Sequence, residues 1–221
     1  MRSGYRALDT REHSTATVAL DSFEAHTGVV AEILLFHHAQ GLTEGLCLLV
    51  DRLRAAGHTV HAPDMFGGKV FPHLDDGVAH AGRIGHDAIE DIARRAALHH
   101  PSADTVMGFA LGTFPAQLLA QEWRRIRHCV LVGGAMPPEE IGGEWRHNVR
   151  LSIHVADPDD WVPASELAPL LLHAPEAHVH RYAGKRHMFV DPSSADYDAD
   201  AADLFEERVM EWLDAVPHRQ P

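Results

Sequence analysis

A chain of 221 residues, 45% of them apolar and 23% charged, can bury one sizeable core, so a single domain over residues 1–221 is expected. Its 32 acidic residues against 19 Lys and Arg give a net charge of −13, the wrong sign for a phosphate backbone, which excludes nucleic acid as a partner. The longest apolar stretch, 29–36, is broken by Glu32 and falls far short of the roughly 20 residues that cross a bilayer, and residues 1–11 lack the apolar centre of a secretion signal; a cytoplasmic location with no membrane span is the expectation.

Residues 29–36, VVAEILLF, are β-branched and nearly all apolar, as in a strand covered on both faces. Leu42, Leu46, Leu49, Val50 and Leu53 then put one apolar face on a helix that Thr43 can cap and Gly57 stops. A short alternating strand over 58–63 runs into a turn-rich loop, 64–72, with Gly67 and Gly68. Helix over 84–98, strand over 105–107, helix over 113–122 and strand over 129–132 follow. Next come a strand over 151–155, a helix over 164–172, a strand over 178–182 and a closing helix over 197–215, with Leu204, Phe205, Val209, Trp212 and Leu213 inward. Such alternation predicts an α/β fold: a mostly parallel central sheet with helices on both faces and no large lid. The tail after Val216 is expected to fray. Cys47 and Cys129 fall in a helix and a strand pattern; both read as small core residues and not as a disulfide framework.

Functional groups of an open parallel sheet gather beyond the carboxyl ends of its strands. Three such positions stand out. Gly108-Phe109-Ala110-Leu111-Gly112, between a strand and a helix, matches a nucleophile elbow everywhere except at the nucleophile. A sharp strand-to-helix turn strains its central residue, and side chains two positions to either side collide with neighbours, so glycine is needed there. Asp157-Pro158-Asp159-Asp160-Trp161 follows the strand 151–155, and Gly184-Lys185-Arg186-His187 follows the strand ending at Tyr182. The order elbow, acid, histidine is that of the α/β-hydrolases.

Here the chain resembles the dienelactone hydrolase family over most of residues 29–213, through LLFHHAQGLT, GHTVHAPDMFGG, GFALG, IHVADPDDWVP and YAGKRHMFVDPS. The resemblance implies an α/β-hydrolase fold, a nucleophile position at Ala110, a base at His187 and an acid at Asp159. Asp160 competes for the last role, with Asp157 third. It further implies an oxyanion hole from the backbone N–H groups of Ala39 and Leu111, and a crevice walled by His38, Gln40, Met65, Phe66, Trp161 and Met188. Family members that act on anionic dienelactones keep a glutamate where this chain has His38, and an arginine shortly after the histidine, where Met188 to Asp191 contain none. A neutral or larger ester or lactone is the expected substrate, with no cofactor and no metal; monomer and homodimer both stay open. Adjacent His37 and His38 on an extended strand point to opposite faces and lack a third donor for zinc, His99 and His100 read as polar groups at a helix end, and Trp145 and Trp161 line either a pocket or the core.

Alanine has neither a proton to give nor a lone pair, and two histories fit it. One is a Ser→Ala replacement made to trap a complex; the other is a natural loss of acyl chemistry. The retained elbow glycines, acid and histidine favour the first, since a strained turn costs roughly 1 to 3 kcal/mol and is pointless without a nucleophile. A natural member could instead use His187 and Asp159 as a proton-transfer pair for isomerisation or cyclisation, or hold a ligand without turnover.

Overall fold

The computed structural model describes residues 30–215. Six strands form one sheet in the order β2-β1-β3-β4-β5-β6, every neighbouring pair parallel. They are β1 (Glu32–Phe36), β2 (Thr59–His61), β3 (Thr105–Phe109), β4 (His128–Val132), β5 (Arg150–Asp157) and β6 (His178–Ala183). Among the described residues five α-helices lie between strands, α1 (Glu44–Ala55), α2 (Leu74–Ile84), α3 (His86–His99), α4 (Thr113–Glu122) and α5 (Ala164–His173), and α6 (Ala199–Asp214) follows β6.

Strand periodicity divides the core in two. Ile33, Leu35, Met107, Phe109, Val130 and Val132 point to the face covered by α1 and α6, while Leu34, Phe36, Val106, Cys129, Leu131 and Ile153 point to the face covered by α3, α4 and α5. Helix α4 runs beneath the strand ends, and its residues from Thr113 to Gln121 are all buried. Thr43 caps α1 by accepting from the Leu46 amide at 3.2 Å, as the sequence suggests.

Three expectations change, and one left open is resolved. A second helix, α2, occupies a stretch in which no element is expected, because its buried residues are only Gly77, His80 and Ala81, too few and too small for a helical apolar stripe. Cys47 is exposed, unlike the buried Cys129, since it lies on the outer side of α1. Leu204 is 38% exposed, whereas Phe205, Val209, Trp212 and Leu213 are buried. Trp145 belongs to the core. Val29, residues 1–11 and the tail after Val216 lie outside the described residues. Among the described residues no helix is long and apolar enough to cross a membrane.

Candidate active site

The turn from β3 into α4 is built around one strained residue. Ala110 has φ 43°, the single non-glycine residue with positive φ among those described, a region that L side chains adopt at a cost. A Cβ on Gly108 would lie 2.2 Å from the Gly112 carbonyl oxygen, and one on Gly112 would lie 2.2 Å from the Phe36 carbonyl oxygen. Neither distance is sterically allowed, so both glycines are required for the turn to close against β1. Thr113 Oγ1 donates to the Ala110 carbonyl at 2.6 Å, tying the turn to the first residue of α4.

His187 and Asp159 come together across 28 residues. The Nδ1 of His187 lies 2.9 Å from Asp159 Oδ2, with both side chains buried, and Asp159 Oδ1 accepts from the Trp161 amide at 2.9 Å. Burial pushes the Asp159 carboxyl up, but the hydrogen bond and charge of His187 and the amides of Trp161 and Val162 outweigh it and hold the carboxyl below its ordinary value. Since a carboxylate only accepts, Nδ1 carries the proton and Nε2 is left as the basic nitrogen. Asp160 is exposed and faces Lys185 at 3.4 Å, and Asp157 faces Arg181 at 3.4 Å; neither pairs with His187. The Trp161 ring, 53% exposed, lies 6.0 Å from the His187 ring.

The other residues expected to wall a crevice are buried and bonded to their neighbours. His38 is fully buried, with Nε2 donating to Asp191 Oδ2 at 2.7 Å and Nδ1 accepting from the Gln40 amide at 3.1 Å. Thr43 Oγ1 donates to the same Asp191 oxygen at 2.7 Å. Gln40 donates to the carbonyls of Phe71 and Pro72. His37, at the end of β1, accepts at Nε2 from the Met65 amide at 2.9 Å and packs edge-on against Phe66; burial lowers its pKa to about 4. Met65, Phe66 and Met188, expected as crevice walls, are all under 5% exposed and belong to the two core clusters.

Three contributors escape a reading of sequence. Gly133, after β4, would place a Cβ 2.6 Å from Met188 Cε and 3.1 Å from His187 Cε1, so it makes room for the histidine. Gly77 on α2 would place a Cβ 2.0 Å from the Ala39 carbonyl oxygen, so α2 seats directly on the loop carrying Ala39. Asp191 lies 153 residues from its partner His38. Only the glycines themselves are local signals, and nothing local names their neighbours.

Comparison with known proteins identifies the family and the fold. The family model described as the dienelactone hydrolase family matches residues 22–216. No curated protein matches the chain in sequence. Among solved structures, a dienelactone hydrolase-like promiscuous phosphotriesterase from metagenomic libraries superposes with TM-score 0.67 at 20% identity, covering 86% of this chain and 88% of its own. The protein m3DLH gives 0.69 at 20% identity over the same shares. An α/β-hydrolase enzyme from a Medee basin deep-sea metagenome library gives 0.53 at 17% identity, covering 84% of each chain. At such identities the structural likeness establishes the α/β-hydrolase fold.

Proposed function

The chain belongs to the dienelactone hydrolase family, and from that premise we propose that its site is that of an ester or lactone hydrolase whose nucleophile position, residue 110, holds alanine. The observation that carries this reading is Ala110 itself, kept at φ 43° in a turn that closes only on glycines. A cost of roughly 1 to 3 kcal/mol is sustained there for a side chain that does nothing chemical. A serine in that conformation would present its hydroxyl at the strand end, over the helix N-terminus.

With serine at 110, Nε2 of His187 takes the hydroxyl proton as the oxygen attacks the ester carbonyl, and Asp159 holds the imidazole and offsets the imidazolium charge. The amides of Ala39 and Leu111 receive the developing oxyanion. The intermediate collapses by returning the proton to the leaving alcohol, and water, deprotonated by the same nitrogen, releases the acyl group. A neutral ester or lactone suits the crevice, because Trp161 offers apolar surface beside His187 and the Asp191 charge is already engaged by His38 and Thr43. As it stands the chain forms no acyl-enzyme.

A second reading, proton transfer on a bound substrate without a covalent step, draws on the intact His187–Asp159 pair beside an inert residue. Ala110→Ser separates the two. Turnover of short p-nitrophenyl esters and of a neutral lactone is expected to rise by at least about 10³-fold over the unmodified chain, and the gain is expected to vanish in Ala110→Ser with His187→Ala. Neither turnover nor covalent acylation in the serine variant would overturn the hydrolase reading and leave proton transfer.

A further inference from the structure

Away from the elbow, three side chains from distant segments converge beside the edge strand. Glu32 opens β1, His61 closes β2, and His100 follows α3. One donor atom from each lies within 4.8 Å of the other two. His61 Nε2 is 3.1 Å from Glu32 Oε1, and the His61 and His100 rings stack with centroids 3.5 Å apart at 15°. His61 and His100 line a cavity of about 450 Å³ together with Arg54, Arg95 and His99, and none of Ala110, Asp159 and His187 lines it.

We propose that Glu32, His61 and His100 form a binding site for a divalent transition-metal ion of the zinc class. Zinc takes imidazole nitrogen and carboxylate oxygen at about 2.0 to 2.2 Å, which places donors roughly 3.2 to 3.6 Å apart in a tetrahedral set. The His61–Glu32 separation of 3.1 Å is nearly that already. His100 has to turn out of the stack, since parallel rings cannot both aim their lone pairs at one ion. Its partial burial leaves room for the rotation, and His61 and Glu32 are themselves only 26% and 25% exposed. Two imidazoles with one carboxylate favour zinc, cobalt or nickel over calcium or magnesium, which prefer all-oxygen sets.

The backbone holds the three segments in register before any ion arrives. The Asp104 amide donates to the Glu32 carbonyl at 3.1 Å, and the Ala103 amide closes the turn on the His100 carbonyl at 3.1 Å. Parallel pairing sets Glu32 opposite Thr59 and Leu34 opposite His61, so the glutamate and the histidine project to the same face of the sheet. Arg54 is already committed to the Val60 carbonyl and to Asp51. Three protein ligands leave a fourth position, open to the cavity. With Arg54 and Arg95 on its walls, that position suits hydroxide or a small anion. An ion there would clip β2, the edge strand of the sheet, to the turn after α3, and so stabilise the folded chain in proportion to its occupancy.

Untagged full-length chain, freed of metal by chelation, is titrated with Zn²⁺ by calorimetry and native mass spectrometry and with Co²⁺ by its visible absorption, alongside His61→Ala, His61→Gln, His100→Ala and Glu32→Gln. His173→Ala, an exposed histidine at the end of α5, is the control. The expected result is one tight ion per chain, a Kd raised at least about 100-fold in each histidine variant, an unchanged Kd in the control, and a Zn²⁺-dependent rise in Tm in the unmodified chain that the histidine variants lack. Metal-free circular dichroism checks that each variant is folded, and His61→Gln serves if His61→Ala is not. No stoichiometric ion, or a Kd unaltered by the His61 and His100 substitutions, overturns the proposal.

Discussion

Ala110 and its two flanking glycines make opposite predictions. Alanine in the left-handed region is disfavoured by about 1 to 2 kcal/mol, whereas glycine in its place gives up about 0.5 to 1 kcal/mol of unfolded-chain entropy. Ala110→Gly is therefore expected to leave stability unchanged or raise it by up to about 1 kcal/mol in urea denaturation; a clear loss would show that the turn carries no strain. Gly112→Ala, which drives a methyl into the Phe36 carbonyl, is expected to cost about 2 kcal/mol or more. The acid can be assigned in the same residue-level terms. With serine installed at 110, Asp159→Asn is expected to lower kcat roughly 10⁴-fold, as the matching change does in a serine-protease triad. Asp160→Asn, which breaks only an exposed contact to Lys185, is expected to change kcat less than about twofold. If the two results were reversed, the hydrogen bond between His187 and Asp159 would not be the catalytic one. The elbow and the dyad were legible because each follows a strand with a strong apolar pattern, and glycine, aspartate and histidine at those places have few structural duties to compete with. The preference for Asp159 over its neighbours rested on the resemblance, since all three carboxylates suit the same turn, and its contact with His187 is visible only in three dimensions.

At the scale of elements, the loop carrying Ala39, the proposed oxyanion donor, is gripped from two sides. Helix α2 approaches so closely at Gly77 that a methyl there would sit 2.0 Å from the Ala39 carbonyl oxygen. From the other side His38 is anchored to Asp191, which Thr43, the N-cap of α1, also engages; Gly45 makes room, as its Cβ would overlap Asp191 Oδ1. In the Ala110→Ser background, Gly77→Ala is expected to lower kcat more than it raises KM, because it tilts an amide that matters most in the transition state. A rise in KM alone would place Ala39 in ground-state binding. Asp191→Ala is expected to destabilise the chain by about 1 to 3 kcal/mol, because it leaves the His38 Nε2–H and the Thr43 hydroxyl buried without their acceptor, measured by urea denaturation. The long apolar elements, β1, α4 and α6, could be read from periodicity. The sequence pattern hides α2 because Leu74–Ile84 contains Gly77 and Gly82 and has no side-chain cap, so its helicity comes from packing against the loop it supports. Likewise the grip of Asp191 on His38 spans 153 residues, a pairing that only the closed sheet brings about.

For the whole molecule, histidine sets the response to acid. The chain carries 19 histidines and a net charge of −13, and two of the fully buried histidines resist protonation. His37 is fully buried and its pKa is lowered to about 4, chiefly by burial. His154 is also fully buried, bonded to Ser152 Oγ and the Tyr182 hydroxyl, and burial together with the charges of His180 and Arg208 holds it well below the ordinary value. In the unfolded chain both protonate near 6.5. Between about pH 6.5 and 4 the unfolded state therefore binds more protons than the folded one, so stability is full above pH 6.5 and falls as the pH drops through that window. The lowering at His37, from 6.5 to about 4, corresponds to roughly 3 kcal/mol. Asp159 and Asp191, whose carboxyls sit below their ordinary values, contribute stability that is lost only at lower pH, beneath the usual carboxylate range. Urea denaturation at pH 7.5, 6, 5 and 4.5 is expected to show the first of these two losses. His37→Asn is expected to lower stability at pH 7.5, because the Met65 amide loses its acceptor, and to flatten the slope between 6.5 and 4.5. A slope unaltered by His37→Asn would assign the acid sensitivity to His154 or to the surface, and a flat profile in the unmodified chain would mean that neither buried imidazole resists protonation.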